Sequence, residues 1–368
     1  MQCMTQKCHT VNPLWDECHR NPDKSYRGLD GCLLKPKPHH GAHREQWQAL
    51  DLATNGSTRP LAMPDFSVVR KLGQGSFGTV QLVSLIQQKS AVFALKMLSK
   101  DDLVDGTAEH GCKLRQLRTE LVVLSQVDHP FVARLFSSFQ TTTHVCMLLE
   151  YYEGGTLYAY MLSAPGGCLS EEATRFYAAE VLVALQYLHV LGIVYRDLKP
   201  ENVLLRNTGH VVLVDFDLAL FASRFPQKDT HPVYTDEPYT CTNSYVGTEE
   251  YLTPEVITRL GHSSSVDWWQ LGILLYEMAY GVTPFRSPER EETLANVLTK
   301  DPVFPEIFLG LSKNFEDCVR QLLIKHPLRR LGAVKGAAVI KSHVFFRNVH
   351  WALLWWQTPP WNAMRGHG

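Results

Sequence analysis

The residues best suited to chemistry lie in one short stretch, Tyr195-Arg196-Asp197-Leu198-Lys199-Pro200-Glu201-Asn202, followed after a predicted hairpin by Asp215-Phe216-Asp217. Phosphoryl transfer asks little covalent chemistry of a protein. It needs one carboxylate beside the attacking hydroxyl and hard oxygen ligands holding a metal against crowded phosphate oxygens. Asp197, Asn202 and Asp215 supply that set, and Lys199 can reach the transferring group. Oxygen-only ligands favour magnesium over softer metals.

Two upstream signals fit the same chemistry. Gly73-Gln74-Gly75-Ser76-Phe77-Gly78 leads into Thr79-Val80 between two strand-like runs. A strand-turn-strand glycine loop can cover phosphates with backbone N–H groups, although an ordinary hairpin turn has the same spacing. Dinucleotide folds instead lead from strand to helix, and TVQLVSL is a poor helix. In Phe93-Ala94-Leu95-Lys96 a lysine follows three apolar residues and is costly to bury without an anionic partner such as a phosphate. Glu120 on the predicted helix RQLRTELVVL is the natural counter-ion and Glu109 the alternative; either could be a solvent-facing acid.

The elements that must position these groups change character along the chain. From Phe66, FSVVRKL, TVQLVSLI and AVFALKML read as antiparallel strands. A helix follows with Leu114, Leu117, Leu121 and Leu124 on one face, then strands around FVARLFSSF and HVCMLLEYY. Beyond Gly155 amphipathic helices dominate, notably the one after the N-cap Ser170, while Asn207-Thr208-Gly209 turns a hairpin. An α+β fold is expected, a small β lobe with one key helix over a larger, mainly α lobe. The expected parts are a poorly ordered extension over 1–64, a domain over 65–346 dividing near residue 150, and a tail over 347–368.

Composition narrows the class without naming a partner. In 368 residues, 45% are apolar, and 36 Lys and Arg balance 37 Asp and Glu, which excludes a disordered chain and gives no basic excess for nucleic acid. Nine cysteines, an odd number, and no apolar leader at the start point to a reducing intracellular compartment, cytoplasmic with nuclear or plasma-membrane association left open. The apolar run from Trp268 carries Glu277 and is cut short by Gly281 and Pro284, so it reads as a core helix and no transmembrane segment is expected. Cys3, Cys8, His9, Cys18, His19 and Cys32 do not repeat the paired spacing of a zinc site.

From about Phe66 to Trp351 the chain resembles a serine/threonine protein kinase of the AGC group, with the bilobal protein kinase fold. Asp-Phe-Asp at 215–217, a long activation segment and Asn243-Ser244-Tyr245-Val246-Gly247-Thr248 resemble the plant phototropin and PINOID subfamily and its fungal relatives. The first 64 residues do not resemble a flavin-binding light sensor. The resemblance implies transfer of the γ-phosphoryl of Mg-ATP to Ser or Thr hydroxyls of protein substrates, by a monomer awaiting an upstream activating kinase. It implies Asp197 as base, Lys96 and Glu120 as activating pair, and Asn202 and Asp215 as magnesium ligands. Leu149, Glu150 and Tyr152 would frame the adenine, and Val80, Ala94 and Leu204 would sandwich it, though the residues alone are equally compatible with core packing. Ser244 takes the position of an activating phosphate, with Arg196 as its partner. Glu201, Glu277 and Thr248 would meet the substrate, the acids favouring upstream arginine, while Thr156 stands where another acid is common. Glu255 would brace the α lobe through Arg330.

A pseudokinase scaffold is the rival reading, with Asp217 in place of glycine and Thr253 in place of alanine as its signs. The intact catalytic positions favour the enzyme. Trp351, Trp355, Trp356 and Trp361 are expected to pack on the α lobe or to form an exposed docking patch.

Overall fold

Runs of branched residues after Phe66 become five antiparallel strands in the computed structural model, which describes residues 44–54, 61–75, 78–104, 108–221, 249–259, 263–305 and 310–361. In chain order the main elements are α1 Arg44–Ala53, β1 Phe66–Gly75, β2 Gly78–Leu85, β3 Val92–Ser99, α2 Asp101–Val104, α3 Ala108–Gln126, β4 Leu135–Gln140 and β5 His144–Leu149. There follow α4 Leu157–Ser163, α5 Glu171–Val190, β6 Ile193–Val194, β7 Val203–Leu205, β8 Val211–Leu213, β9 Leu220–Phe221, α6 Pro254–Ile257, α7 Ser265–Tyr280, α8 Arg290–Thr299, α9 Lys313–Leu322 and α10 Ala337–Lys341. Contacts divide the chain into two units, Met1–Asp105 with Leu135–Tyr151, and Gly106–Arg134 with Tyr152–Gly368.

The first unit is the sheet, in strand order β1-β2-β3-β5-β4. Val80 stands opposite Lys96, Leu82 opposite Ala94, and Ala94 opposite Leu149, so these residues share one face by strand alternation. Phe93, Leu95, Val83, Cys146 and Leu148 belong to the other face, and there α1 adds Trp47, Leu50 and Ala53 to the same core cluster. Trp47 and Phe136 have ring centroids 5.0 Å apart, and Phe93 meets Phe136 edge-on at 5.2 Å. This corrects the expected poorly ordered extension over 1–64: Arg44–Ala53 is a helix. Ten residues with three large apolar side chains, of which only Trp47 and Leu50 are buried, show little periodicity, and so short a helix gains its stability from packing.

In the second unit α5 and α7 form the core. Ser170 caps α5 as expected, its Oγ accepting from Ala173 N at 3.2 Å. Helix α7 is buried almost throughout, including Trp268 and Trp269, and ends where Gly281 takes φ 73°. Among the described residues no helix is long and apolar enough to cross a membrane. Helix α3, expected with the β lobe, groups by its contacts with the helical unit. The segment leaving it explains why. Asp128 N donates to Tyr187 Oη at 2.8 Å, His129 stacks on Tyr187 at 4.8 Å, and Val132 bridges Leu213.

Candidate active site

The hairpin β7–β8 forms as expected and carries the loop that precedes it, because Val203 to Leu205 pairs with Val211 to Leu213. On that loop Asp197 is 5% exposed. Its Oδ2 accepts from Asn202 Nδ2 at 2.6 Å and from Lys199 Nζ at 2.9 Å, and Asn202 Nδ2 also donates to Asp197 O at 2.9 Å. Burial raises the Asp197 carboxyl above its ordinary range; Lys199 opposes that shift and Asp215 adds to it. Asp197, Lys199 and Asn202 are thus brought together on a single loop.

That loop is held from beneath by residues the sequence reading passed over. Asp267, fully buried in the first turn of α7, accepts from Tyr195 N at 2.9 Å, Arg196 N at 2.8 Å and His189 Nε2 at 2.6 Å. Gln270 Nε2 donates to Arg196 O at 2.7 Å, and its Oε1 accepts from Leu198 N at 3.1 Å. The available signal was an aspartate and a glutamine inside the otherwise apolar VDWWQLGILL, since buried polar groups need partners. Tyr195 lies against Phe216 with ring centroids 5.2 Å apart and donates through Oη to Val214 O.

Two departures from the usual kinase motifs acquire local explanations. Thr253 caps α6, its side chain accepting from Val256 N at 3.3 Å, and Glu255 then meets Arg330 through two bonds of 2.7 and 2.9 Å. Thr156, where an acid is common, caps α4 by accepting from Ala159 N at 3.0 Å. The acids expected to select substrate form part of a wider set. Glu277 accepts from Tyr251 Oη, and its carboxyl is pushed up to about 7 by burial first, with Glu201 and Glu250 adding to the shift. Glu250 itself pairs with Arg286 at 3.7 Å.

In the sheet unit, Lys96 on β3 is 8% exposed, Ala94 is buried and Glu150 is 8% exposed. Val80 and Leu149 are partly buried, and Gly73, Gln74 and Gly75 end β1 while Gly78 opens β2. A Cβ at Gly78, which has φ +113°, would lie 2.1 Å from Met97 O. Only glycine fits there, so β1 and β2 can turn tightly against β3. Glu120, in the helical unit, is 2% exposed, and Tyr152 is turned into that unit with Arg206 5.1 Å over its ring. Leu204 on β7 is partly buried. Ser76, Phe77, Ser244 and Thr248 lie outside the described residues.

The donor set can be tested for a metal. Both Nδ2 bonds of Asn202 are donations to Asp197, which orients the Asn202 amide, and Asp215 adds a carboxylate at φ 59°. Among the described residues no group of three His, Cys, Asp or Glu side chains could hold an ion. One carboxylate and one amide oxygen, completed by phosphate and water, are what magnesium accepts.

Residues 66–346 match the protein kinase domain. The chain belongs to that family. Kinase domains take ATP as phosphoryl donor, generally with a divalent metal. The chain is 42% identical to phototropin-2 of Oryza sativa subsp. japonica over 95% of its length and 40% of the relative's. It is 38% identical to the serine/threonine-protein kinase RHS3 of Arabidopsis thaliana over 88% of its length and 73% of the relative's. To the serine/threonine-protein kinase nrc-2 of Neurospora crassa it is 41% identical, over 82% of its length and 50% of the relative's. The chain thus spans about two fifths of the phototropins it matches. The resemblance to an AGC-type kinase with plant and fungal relatives holds, as does the expected pairing of an antiparallel sheet with a helical part.

Proposed function

We propose that this kinase domain transfers the γ-phosphoryl of ATP to serine or threonine hydroxyls of protein substrates, with magnesium as its metal. The observation that carries the reading is the Asp197 carboxylate, fixed by Asn202 at 2.6 Å and Lys199 at 2.9 Å on a loop clamped to Asp267. A carboxylate so held can orient a hydroxyl and accept its proton. Lys199 then turns its charge to the migrating phosphoryl group. Asn202 and Asp215 would hold the magnesium, which when bound neutralises charge on the phosphate oxygens. The glycine loop from Gly73 to Gly78, Ser76 and Phe77 included, covers the phosphates. Lys96 orients the triphosphate, with Glu120 as the counter-ion that the kinase resemblance implies. Val80, Ala94, Leu149, Glu150, Tyr152 and Leu204 receive the adenine.

Glu201, Glu277 and Thr248 contact the substrate, whose acceptor has basic residues upstream. Phosphorylation of Ser244 by an upstream kinase, read by Arg196, activates the domain inside the cell. The tested form is the purified chain with magnesium and radiolabelled ATP over an oriented peptide library. The expected result is label on Ser or Thr, with Asp197→Asn slower by roughly a hundredfold or more. Label transferred equally well by Asp197→Asn, or none by the wild type, overturns the reading.

A further inference from the structure

The last described residues of the chain fold back onto the helical unit. Trp355 stacks on His210 with centroids 4.6 Å apart and an interplanar angle of 20°, while His210 bonds the buried Glu180 at 2.6 Å. Six residues later, Trp361 N donates to Tyr177 Oη at 3.0 Å and the indole meets Tyr160 edge-on at 6.4 Å. Two glycines make room for this strap. A Cβ at Gly209 would lie 1.9 Å from Trp361 O and 2.8 Å from Pro359 Cβ, and one at Gly154 would lie 2.9 Å from Trp361 Cη2. The indole therefore rests directly on the backbone at Gly154.

That backbone has a particular neighbour. Gly154 N donates to Leu205 O at 2.9 Å, Leu205 N donates to Gly155 O at 2.8 Å, and Thr156 bridges Leu204. These bonds stitch the segment after Tyr152 to β7 at Leu204 and Leu205. Given the kinase reading above, on which this step rests, Leu204 is the floor for adenine. We propose that Trp361 is a positioning residue for nucleotide binding. By filling the space outside Gly154 it holds Gly154–Thr156 on β7 and fixes the height of Leu204, without touching ATP. Asp197, Lys199 and Asn202 are held instead by Asp267 and Gln270, so the chemical step is insulated from it.

The test uses the full chain as wild type, Trp361→Ala and Trp361→Phe, with initial rates against ATP concentration and calorimetric titration of ATP into each. An aromatic ring packed at one point of a site is worth about tenfold in affinity when lost. The expected result is an ATP KM and Kd raised about tenfold in Trp361→Ala, with kcat within twofold, and near-normal values in Trp361→Phe. If Trp361→Ala does not fold, Trp361→Leu, which lacks the reach to Gly154, should raise both constants about threefold. An unchanged ATP Kd in a folded Ala or Leu variant, or a fall in kcat with KM untouched, overturns the proposal. A wild type that binds ATP but transfers no label overturns the kinase reading, and the Kd comparison still decides the role of Trp361.

Discussion

Removing the charge of Glu255 should be among the most damaging single changes to the helical unit. Arg330 has no exposed side-chain surface and Glu255 only 2%. The guanidinium donates to both carboxylate oxygens, to Ser265 O at 2.8 Å and to Ile324 O at 3.2 Å, and it lies 5.1 Å over the Trp269 ring. Glu255→Gln keeps the shape but leaves a buried cation facing neutral acceptors. Breaking one side of such a pair costs about 3–5 kcal/mol. For a unit of this size that is roughly 10 °C in melting midpoint.

Replacing both partners by apolar residues removes the unpaired charge, so Glu255→Leu with Arg330→Met should cost less than the two single changes added. The coupling should be at least about 2 kcal/mol. Urea denaturation followed by tryptophan fluorescence measures it, since Trp268 and Trp269 sit in the same core. A midpoint shift under about 2 °C for Glu255→Gln, or strict additivity in the cycle, would refute the assignment of this pair as the brace of the unit.

Asp267→Asn keeps one acceptor oxygen where two now serve Tyr195, Arg196 and His189. It should lower kcat more than any KM and cost about 1–3 kcal/mol of stability, read by steady-state kinetics beside a thermal melt. Glu277, with its carboxyl pushed up to about 7 in the company of Tyr251, Glu201, Glu250 and Arg286, should lose its charge as pH falls from 8 to 6. The KM for peptides with upstream arginine should therefore rise across that window, and Glu277→Gln should flatten the profile. The raised value has a second consequence: its contribution to stability is present below about 4.5 and lost as pH rises through about 7, because the folded form binds the extra proton. Ser244→Ala should reduce activity while thermal stability stays unchanged, and mass spectrometry of the active enzyme should find phosphate at that serine.

How much could be read from the sequence depends on what each feature needs. The strands, the N-cap at Ser170 and the β7–β8 hairpin are local, and residue type with spacing suffices for them. Asp197, Lys199 and Asn202 lie within six residues of one another, so their meeting required only a tight loop. The support at Asp267 was hidden because it joins residues separated by more than 70 positions. Helix α1 was hidden for a different reason: Trp47 and Leu50 become an apolar face only when the sheet offers Phe93 and Phe136 to cover them. Trp361 was expected to pack on the α lobe or in an exposed patch, but its seat gave no signal, since Gly154 and Gly209 matter through the side chains they lack.

Asp217 shows how such long-range support changes the meaning of a motif. Glycine at this place in other kinases invites the expectation that an aspartate there is strained. Among the described residues the non-glycine positions with positive φ are Arg196 at 68°, Asp215 at 59° and Arg259 at 56°, and Asp217 is not one of them. In this conformation the aspartate occupies ordinary backbone space and is 6% exposed. Two of these, Arg196 and Asp215, belong to the same machinery as Asp217, and each such residue costs on the order of 1–2 kcal/mol. At Arg196 the compensation is visible, because N–H and C=O are taken by Asp267 and Gln270 and Nε reaches Leu218 O at 2.7 Å. The helix α7 carboxylate and amide therefore hold a backbone turn that the loop would not keep by itself. Asp-Phe-Asp is compatible with this conformation, so Asp217 is no sign of a decayed site, and the substitution Asp217→Gly should leave kcat within about threefold of the wild type. A loss of tenfold or more in that variant would show that the Asp217 side chain takes part in holding the site.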